Sequence, residues 1–307
     1  MILNILFIVI GIVLVLWGAD RLTDGAVAVA EKMKMPQIVI GLTIVAMGTS
    51  MPEFCVSLIS ALKGTSDLAV GNIVGSNIFN TLLIVGVSAL VAPMSIMKTT
   101  VRKDIPFALV ASALLLIMCL DGDISRIDAA ILFVMFLIFM YITLRGAKVQ
   151  GTDLEEKEKK PMATWLSVVW ILVGLACLIG GSNLFVDGAT AVATKLGVSE
   201  AVIGLTIVAG GTSLPELATS VVSARKGNSG IAIGNVLGSN VFNILAILGL
   251  TGVISPMTLK GITMTDLSMM VISIILIWLF SFTKYKIERW EGAILTAVFV
   301  GYIYSLL

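Results

Sequence analysis

Histidine is absent from this chain of 307 residues, charged residues make up only 13% of it, and there are three cysteines and seven prolines. Each shortage excludes something. Without histidine there is no imidazole acid–base chemistry and no His-based zinc or transition-metal site. Cys55, Cys119 and Cys177 lie in apolar stretches with no CxxC pair, so they read as small buried hydrophobes. No GxxxxGK[ST] phosphate loop occurs, and the loops are too short for a nucleotide domain, which argues against ATP-driven pumping. The scarcity of charge is itself diagnostic, because a soluble domain carries about 25% charged residues.

Hydrophobic residues fill 58% of the positions and the mean hydropathy is +1.07. A soluble fold has no interior large enough for that much apolar surface, so the solvent must be lipid. The net charge of +1 gives no indication of nucleic acid or an acidic partner. At roughly 20 residues per spanning helix, the length accommodates about ten helices. Apolar stretches this long exclude a barrel, whose strands alternate every second residue. The spans read as 2–30, 37–61, 67–92, 104–120, 126–144, 164–193, 200–223, 229–254, 265–282 and 289–306. The first, MILNILFIVIGIVLVLWGAD, lacks a basic n-region and reads as a retained helix rather than a cleaved signal. Residues 145–163, built around RGAKVQGTDLEEKEKKP, form a polar linker of mixed charge between a first half, 1–144, and a second half, 164–307.

The halves repeat. GADRLTDGAVAVAEKMKMPQIVIGLTIVAMGTSMPE (18–53) aligns without gaps to GSNLFVDGATAVATKLGVSEAVIGLTIVAGGTSLPE (181–216). The same offset maps GNIVGSNIFN (71–80) onto GNVLGSNVFN (234–243). Apolar composition alone does not place Gly, Thr, Ser, Pro, Glu and Asn in register. Five spans per half is an odd number, so the second copy enters the membrane upside down. The expected fold is an all-α integral membrane protein of ten helices in two inverted five-helix repeats, a construction used by secondary transporters with the site near mid-membrane. Basic residues set the orientation. With the N-terminus outside, the inner loops and helix ends collect Arg21, Lys32, Lys34, Lys98, Arg102, Lys103, Arg145, Lys148, Lys157, Lys159, Lys160, Arg225, Lys226, Lys284, Lys286 and Arg289, leaving Lys63, Arg126, Lys195 and Lys260 outside. Both termini are therefore expected to be extracellular and the linker cytoplasmic, in the plasma membrane.

Glu53 and Glu216 each sit mid-span, directly after Gly-Thr-Ser-x-Pro. A lone carboxylate at the bilayer centre costs several kcal/mol, and no Lys or Arg occupies a comparable depth. A bound cation or a proton must neutralise the pair. Pro52 and Pro215 lack an N–H and interrupt the helical ladder. Freed carbonyls near Ala46, Thr49, Ala209 and Thr212, with hydroxyls of Thr49, Ser50, Thr212 and Ser213, would then supply oxygens where irregular backbone lines a polar cavity. A plain proline kink accounts for the Pro and Ser but not for a glutamate at the matching place in both halves. In the second motif Asn72, Ser76 and Asn80 share a helix face, as do Asn235, Ser239 and Asn243. Asn72, Asn77, Asn235 and Asn240 read equally well as interhelical hydrogen-bond glue; Ser76, Asn80, Ser239 and Asn243 read as site residues. Ca2+ takes about six to eight oxygen ligands in a flexible arrangement, whereas Mg2+ requires a tighter octahedron. One Ca2+ or two Na+ neutralise two carboxylates, which gives the ions a physical basis for competition. Asp20, Arg21 and Asp24 read as an interfacial ion pair or helix-end contact, and Asp121, Asp123, Arg126 and Asp128 as a solvated turn.

At these motifs the sequence resembles the calcium/cation antiporter superfamily, and within it the sodium/calcium exchangers of the bacterial and archaeal type. The resemblance implies two inverted five-helix repeats around four adjacent ion sites, one for Ca2+ and the others for Na+. It implies that Glu53, Glu216 and the carbonyls of Thr49 and Thr212 hold Ca2+. Ala46, Ser50, Ser76, Ala209, Ser213 and Ser239 would contribute to the Na+ sites, and Asn80 and Asn243 would line the centre. In the family it resembles, some prokaryotic exchangers and the potassium-dependent ones have Asp where Asn243 stands, so transport is expected not to require K+. The implied activity is Ca2+/Na+ exchange by alternating access, electrogenic above two Na+ per Ca2+, with 2–30 and 164–193 sliding together against the other helices. No enzymatic activity, cofactor or obligate protein partner is implied. A Ca2+/H+ antiporter on the same scaffold is the nearest alternative, although those relatives usually carry an acidic residue in the second motif. An intramembrane hydrolase using Ser and Glu fits poorly with a duplicated centre and no histidine, and a passive channel would need no counter-ion.

Overall fold

The computed structural model describes residues 2–150, 162–197 and 209–306, and the described chain is almost wholly helical. Among the described residues, seven helices are long and apolar enough to cross a membrane: α1 (Ile2–Lys32), α4 (Ser66–Val91), α5 (Thr100–Asp121), α6 (Arg126–Gln150), α7 (Thr164–Lys195), α10 (Ser229–Ile254) and α11 (Met264–Ser281). A bent pair, α2 (Gln37–Thr49) and α3 (Met51–Leu62), makes an eighth span with a 48° angle at its break. The short α8 (Ala209–Thr212) and α9 (Leu214–Arg225) are the second-half counterparts of that pair, and α12 (Arg289–Leu306) closes the chain. The first part of the span expected at 200–223 lies outside the described residues, as do 151–161 of the linker.

Helix ends fall within a few residues of expectation, with two corrections. α6 continues as helix to Gln150 rather than stopping at 144, so the first residues assigned to the linker are helical. A helix leaving the bilayer has no reason to unwind where its side chains turn polar, and Arg145 there donates to the Tyr141 hydroxyl one turn back at 3.0 Å. Of the cysteines, Cys119 is buried but Cys55 is exposed on α3 and Cys177 half-buried. Against lipid, an outward-facing thiol is still in an apolar medium.

Contacts between the halves come in pairs that the sequence repeat relates. Two short antiparallel ribbons form, β1 (Met94–Ser95) with β4 (Lys286–Ile287) and β2 (Asp123–Ile124) with β3 (Met257–Thr258). Each ribbon ties one half to the other, and in register Met94↔Ile287 and Ile124↔Met257 are repeat mates. They lie at opposite ends of the bundle. One end joins α3 to the β3 region through Ser255 Oγ donating to the Ala61 carbonyl at 3.1 Å. The other, the linker end, carries Gln37 Nε2 donating to Asn228 Oδ1 at 3.2 Å, and Lys32 bonded to Thr164. The core is formed by α4 and α10, which are buried along most of their length, whereas α1 and α7 expose most of theirs.

α1 and α7 run alongside each other on a seam of glycines, Gly11, Gly18 and Gly25 facing Gly181, Gly174 and Ser167. A Cβ built at Gly181 would meet the Gly11 carbonyl oxygen at 2.8 Å, so the two backbones are in direct contact. The neighbouring Gly180 has nothing within 4 Å. Gly181→Ala is therefore expected to lower the thermal unfolding midpoint of the purified protein measurably, at a cost of about 1–3 kcal/mol for forcing a packed contact apart. Gly180→Ala should leave the midpoint unchanged, and equal effects at the two positions would contradict the seam.

Candidate ion-binding site

The break between α2 and α3 is at Ser50, whose backbone leaves helical geometry at φ −85°, ψ 10°. Its mate Ser213 does the same at φ −90°, ψ 6°. In both halves the next helix begins with proline in its first turn, where the missing N–H costs no hydrogen bond. The following residue is the glutamate. Glu53 and Glu216 therefore lie in the first turns of α3 and α9, where unpaired backbone N–H groups favour a carboxylate. The ends of α2 and α8 bring carbonyl oxygens to the same level. The carbonyl deprived of its amide by Pro52 is that of Gly48; the Ala46 carbonyl already accepts from the Ser50 amide at 3.0 Å and lies 3.3 Å from the Thr49 hydroxyl.

The two glutamates are both 1% exposed and are held across the repeat. Ser50 Oγ donates to Glu216 Oε1 at 2.9 Å, and Ser213 Oγ donates to Glu53 Oε1 at 3.1 Å. Ser76 Oγ reaches Glu53 Oε1 at 3.5 Å and lies 3.3 Å from Ser213 Oγ. The corresponding Ser239 hydroxyl, also buried, has no partner. No cationic side chain pairs with either glutamate: every ion pair among the described residues involves Asp20, Asp24 or Glu288 instead.

Asparagine side chains fix the backbone of these half-helices. Asn72 Nδ2 donates to the Glu53 carbonyl at 3.2 Å and to Ser57 Oγ at 2.9 Å. Asn235 repeats this with the Glu216 carbonyl at 3.2 Å and Ser220 Oγ at 3.0 Å. Thr49 Oγ1 meets Asn235 Oδ1 at 3.0 Å, so Asn235 also ties the halves together. Asn80 and Asn243 sit where α4 and α10 each relax into a π-helical turn, Phe79–Ile84 and Phe242–Leu248. Such turns carry one extra residue per cycle and redirect a side chain out of its helical row.

Of the twelve residues predicted for the site, Ser50, Glu53, Ser76, Ser213 and Glu216 are buried and linked by hydrogen bonds between the halves, Thr49 is tied to them through Asn235, and Asn80, Ser239 and Asn243 are buried on the facing helices α4 and α10. Ala46 is buried beside Thr49. Thr212 is part of the second break, and the side chain of Ala209 lies outside the described residues. Thr81 was not foreseen. It is fully buried, and its repeat mate is Ile244, a mismatch that marks it in the alignment. Five oxygens of the predicted residues remain buried and without a hydrogen-bond partner: Glu53 Oε2, Glu216 Oε2, Asn80 Oδ1, Asn243 Oδ1 and Ser239 Oγ. Buried acceptors are ordinarily satisfied.

Membrane-length helices, with matching breaks at Ser50 and Ser213 that bury a pair of carboxylates among unpartnered oxygens, define a multi-pass membrane protein built around an intramembrane acidic centre. A family model described as "Sodium/calcium exchanger protein" matches residues 3–145 and 166–307, and the chain belongs to that family. It is 39% identical to the putative antiporter CaxA of Alkalimonas amylolytica, over 100% of this chain and 99% of the relative. It is 37% identical to the inner membrane protein YrbG of Escherichia coli (100% and 97% covered) and 32% identical to the sodium/calcium exchanger MaX1 of Methanosarcina acetivorans (99% and 98%). Its structure is similar to the solved sodium-calcium exchanger NCX_Mj with a TM-score of 0.88 at 31% identity, covering 100% of this chain and 99% of that one. The family is one of transporters, and cation/Ca2+ antiport is the activity it supports for this chain.

Proposed function

We propose that the chain exchanges Ca2+ for Na+ across the plasma membrane by alternating access. The observation that carries this is the set of five unpartnered buried oxygens to which Glu53 and Glu216 each contribute one and the second motif contributes three. Two carboxylates, two amide carbonyls and a hydroxyl, all hard oxygen donors, suit Ca2+ and the similarly sized Na+. Glu53 and Glu216 would hold Ca2+ with the Thr49 and Thr212 carbonyls. Ala46, Ser50, Ser76, Ala209, Ser213 and Ser239 would serve the Na+ positions, and Asn80 and Asn243 the centre. One Ca2+ or two Na+ balance the two charges; a third Na+ makes the exchange electrogenic. Asn243 is neutral where K+-requiring relatives carry Asp, which supports transport without K+.

The architecture we infer is ten spans in two inverted halves, 1–144 and 164–307, with both termini extracellular and the linker cytoplasmic. The ribbons at opposite ends and the mated serine–glutamate bonds support it. Under that symmetry the two ends of the bundle differ. At the linker end Lys226, just past α9, bonds Asp20 at 2.5 Å and Asp24 at 2.7 Å on α1, and Thr23 meets Ser223 at 2.9 Å. The mates of Lys226 and Asp24 are Lys63 and Asp187, and among the described residues neither forms an ion pair. These differences support a carrier latched shut at the linker end, with sliding of α1 and α7 exchanging that latch for the opposite one. Lys226→Gln is expected to lower the apparent Ca2+ KM measured from the linker side and raise it from the other, each by about twofold to fivefold, because exposed ion pairs are weak. A change of the same sign from both sides would count against a latch.

The deciding experiment is 45Ca2+ uptake into proteoliposomes loaded with Na+ at clamped pH and without K+. Uptake that follows the Na+ gradient is expected. In a second arm without Na+, uptake driven by an imposed pH gradient alone would establish H+ as the counter-ion instead, and a flux needing no counter-ion would establish a channel.

A further inference from the structure

The central amides Asn80 and Asn243 each have an oxygen and an NH2 end, and only the oxygen is useful to a cation. What decides which end faces the site is a relay of four buried asparagines and one threonine. Thr81 Oγ1 donates its single proton to the Asn77 carbonyl at 2.6 Å. Its oxygen can then only accept, and it accepts from Asn240 Nδ2 at 2.7 Å. Asn240 must therefore turn Oδ1 toward Asn80, which donates Nδ2 to it at 3.1 Å. Asn77 Nδ2 donates to the Asn240 backbone carbonyl at 3.2 Å, and a backbone carbonyl can only accept. Asn77 must then turn Oδ1 toward Asn243, which donates Nδ2 to it at 3.0 Å. Both hydrogen-bond chains start at a backbone carbonyl, which can only accept, and end at an amide whose oxygen is left over. Those oxygens, Asn80 Oδ1 and Asn243 Oδ1, are two of the buried atoms with no partner.

We propose that Asn77, Asn240 and Thr81 are positioning residues that set the polarity of Asn80 and Asn243, so that both present oxygen and neither presents NH2 to the transported cations. The inference rests on the ion-site reading above. All five side chains are at most 1% exposed, so no water competes to reverse the order. Thr81 is the weak point of the relay. Its mate Ile244 offers no hydroxyl, and the half containing Asn243 is anchored directly by the Asn77–Asn240 backbone contact instead. Without the Thr81 hydroxyl, Asn240 Nδ2 loses its acceptor, Asn240 is free to flip, and Asn80 would follow with its NH2 toward the site.

Thr81→Val removes the hydroxyl at nearly constant shape, and Thr81→Ser keeps it. In proteoliposomes Thr81→Val is expected to raise the KM for Ca2+ about tenfold, the scale of one lost charge-facing hydrogen-bond donor or acceptor, while Thr81→Ser stays within about twofold of the parent. The thermal midpoint without Ca2+ should stay near the parent for Thr81→Ser and fall modestly for Thr81→Val, which leaves buried groups unpaired, and its rise on adding Ca2+ should shrink only for Thr81→Val. A Thr81→Val protein with unchanged KM overturns the relay, as does one whose ion-free midpoint falls while KM holds, since that marks a purely structural residue. If valine is not accommodated, Thr81→Ala, smaller in every direction, takes its place with the same expected shift. The parent protein separates the two proposals: if it shows no Na+-driven Ca2+ uptake, the ion-exchange reading fails before the relay is tested.

Discussion

Glu53→Gln and Glu216→Gln should each abolish Na+-driven 45Ca2+ uptake, lowering it at least about 100-fold. Glutamine keeps the shape and the serine hydrogen bond at Oε1, so folding should survive. What changes is charge. The site is buried, with no cationic side chain paired to either glutamate, so its affinity for a divalent ion rests on two carboxylates at once. Truncating one member of a buried charge pair costs about 3–5 kcal/mol, which is roughly 100- to several-thousand-fold. Because Ser213 and Ser50 cross between the halves, each glutamate is oriented by the opposite repeat, and the two single variants should be equally inactive. The double variant should be no worse than either, since residues acting as one unit are not additive. Uptake above a tenth of the parent in either single variant would remove the glutamates from the transport site.

Gly238→Ala should come close to that effect although it adds a single methyl group. Gly238 is where α10 crosses α2, and a Cβ there would lie 2.6 Å from the Cα of Leu42 and 2.7 Å from the Cβ of Ala46. Neither is the far end of a flexible side chain, so the helices must separate. One turn away, Gly234 has the same problem against the Ile38 carbonyl at 2.6 Å, so α10 cannot pivot to make room. The next residue is Ser239, and Asn235 on the same helix holds both Glu216 and Thr49. Overpacking costs about 1–3 kcal/mol, and a shift of one ångström at a coordinating constellation costs about 100-fold in rate. We expect a loss of more than tenfold in Ca2+ uptake with the protein still present in the membrane at about the parental level, read by quantitative immunoblot beside the flux assay. Parental transport would show that the crossing is looser than the geometry requires.

Much of this molecule can be read before folding. Apolar runs locate the helices to within a few residues, because a bilayer imposes length as well as composition. The duplicated GTSxPE and GNxxGSNxxN motifs single out Glu53 and Glu216 and the serines that turn out to bond them. What could not be read depends on partners remote in sequence. Asp20 and Asp24 suggest an ion pair, yet nothing local names Lys226 as the partner. The glycines of α1 and α7 are visible in the chain, but which backbone they admit is a property of the assembled pair. The π-helical turns at Asn80 and Asn243 have no marker of their own, and the two-residue ribbons are too short to show a strand period. Thr81 was legible only as a flaw in the repeat, threonine facing isoleucine, and its role appears once the asparagines around it can be traced bond by bond.

The lengths of α1 and α7 have a consequence outside the protein. At 31 and 32 residues they measure about 46–48 Å, against a hydrocarbon layer about 30 Å thick. They must lean or protrude, and their repeat-related ends Lys32 and Lys195 seek opposite headgroup layers. In the alternating access proposed above, a pair of helices joined backbone to backbone would move as one lever in that slab, each displacement drawing one lysine toward its interface and the other away. Membrane thickness would then act on such a carrier as an effector does: lipids that fit one tilt better than the other would shift the resting balance between its two orientations.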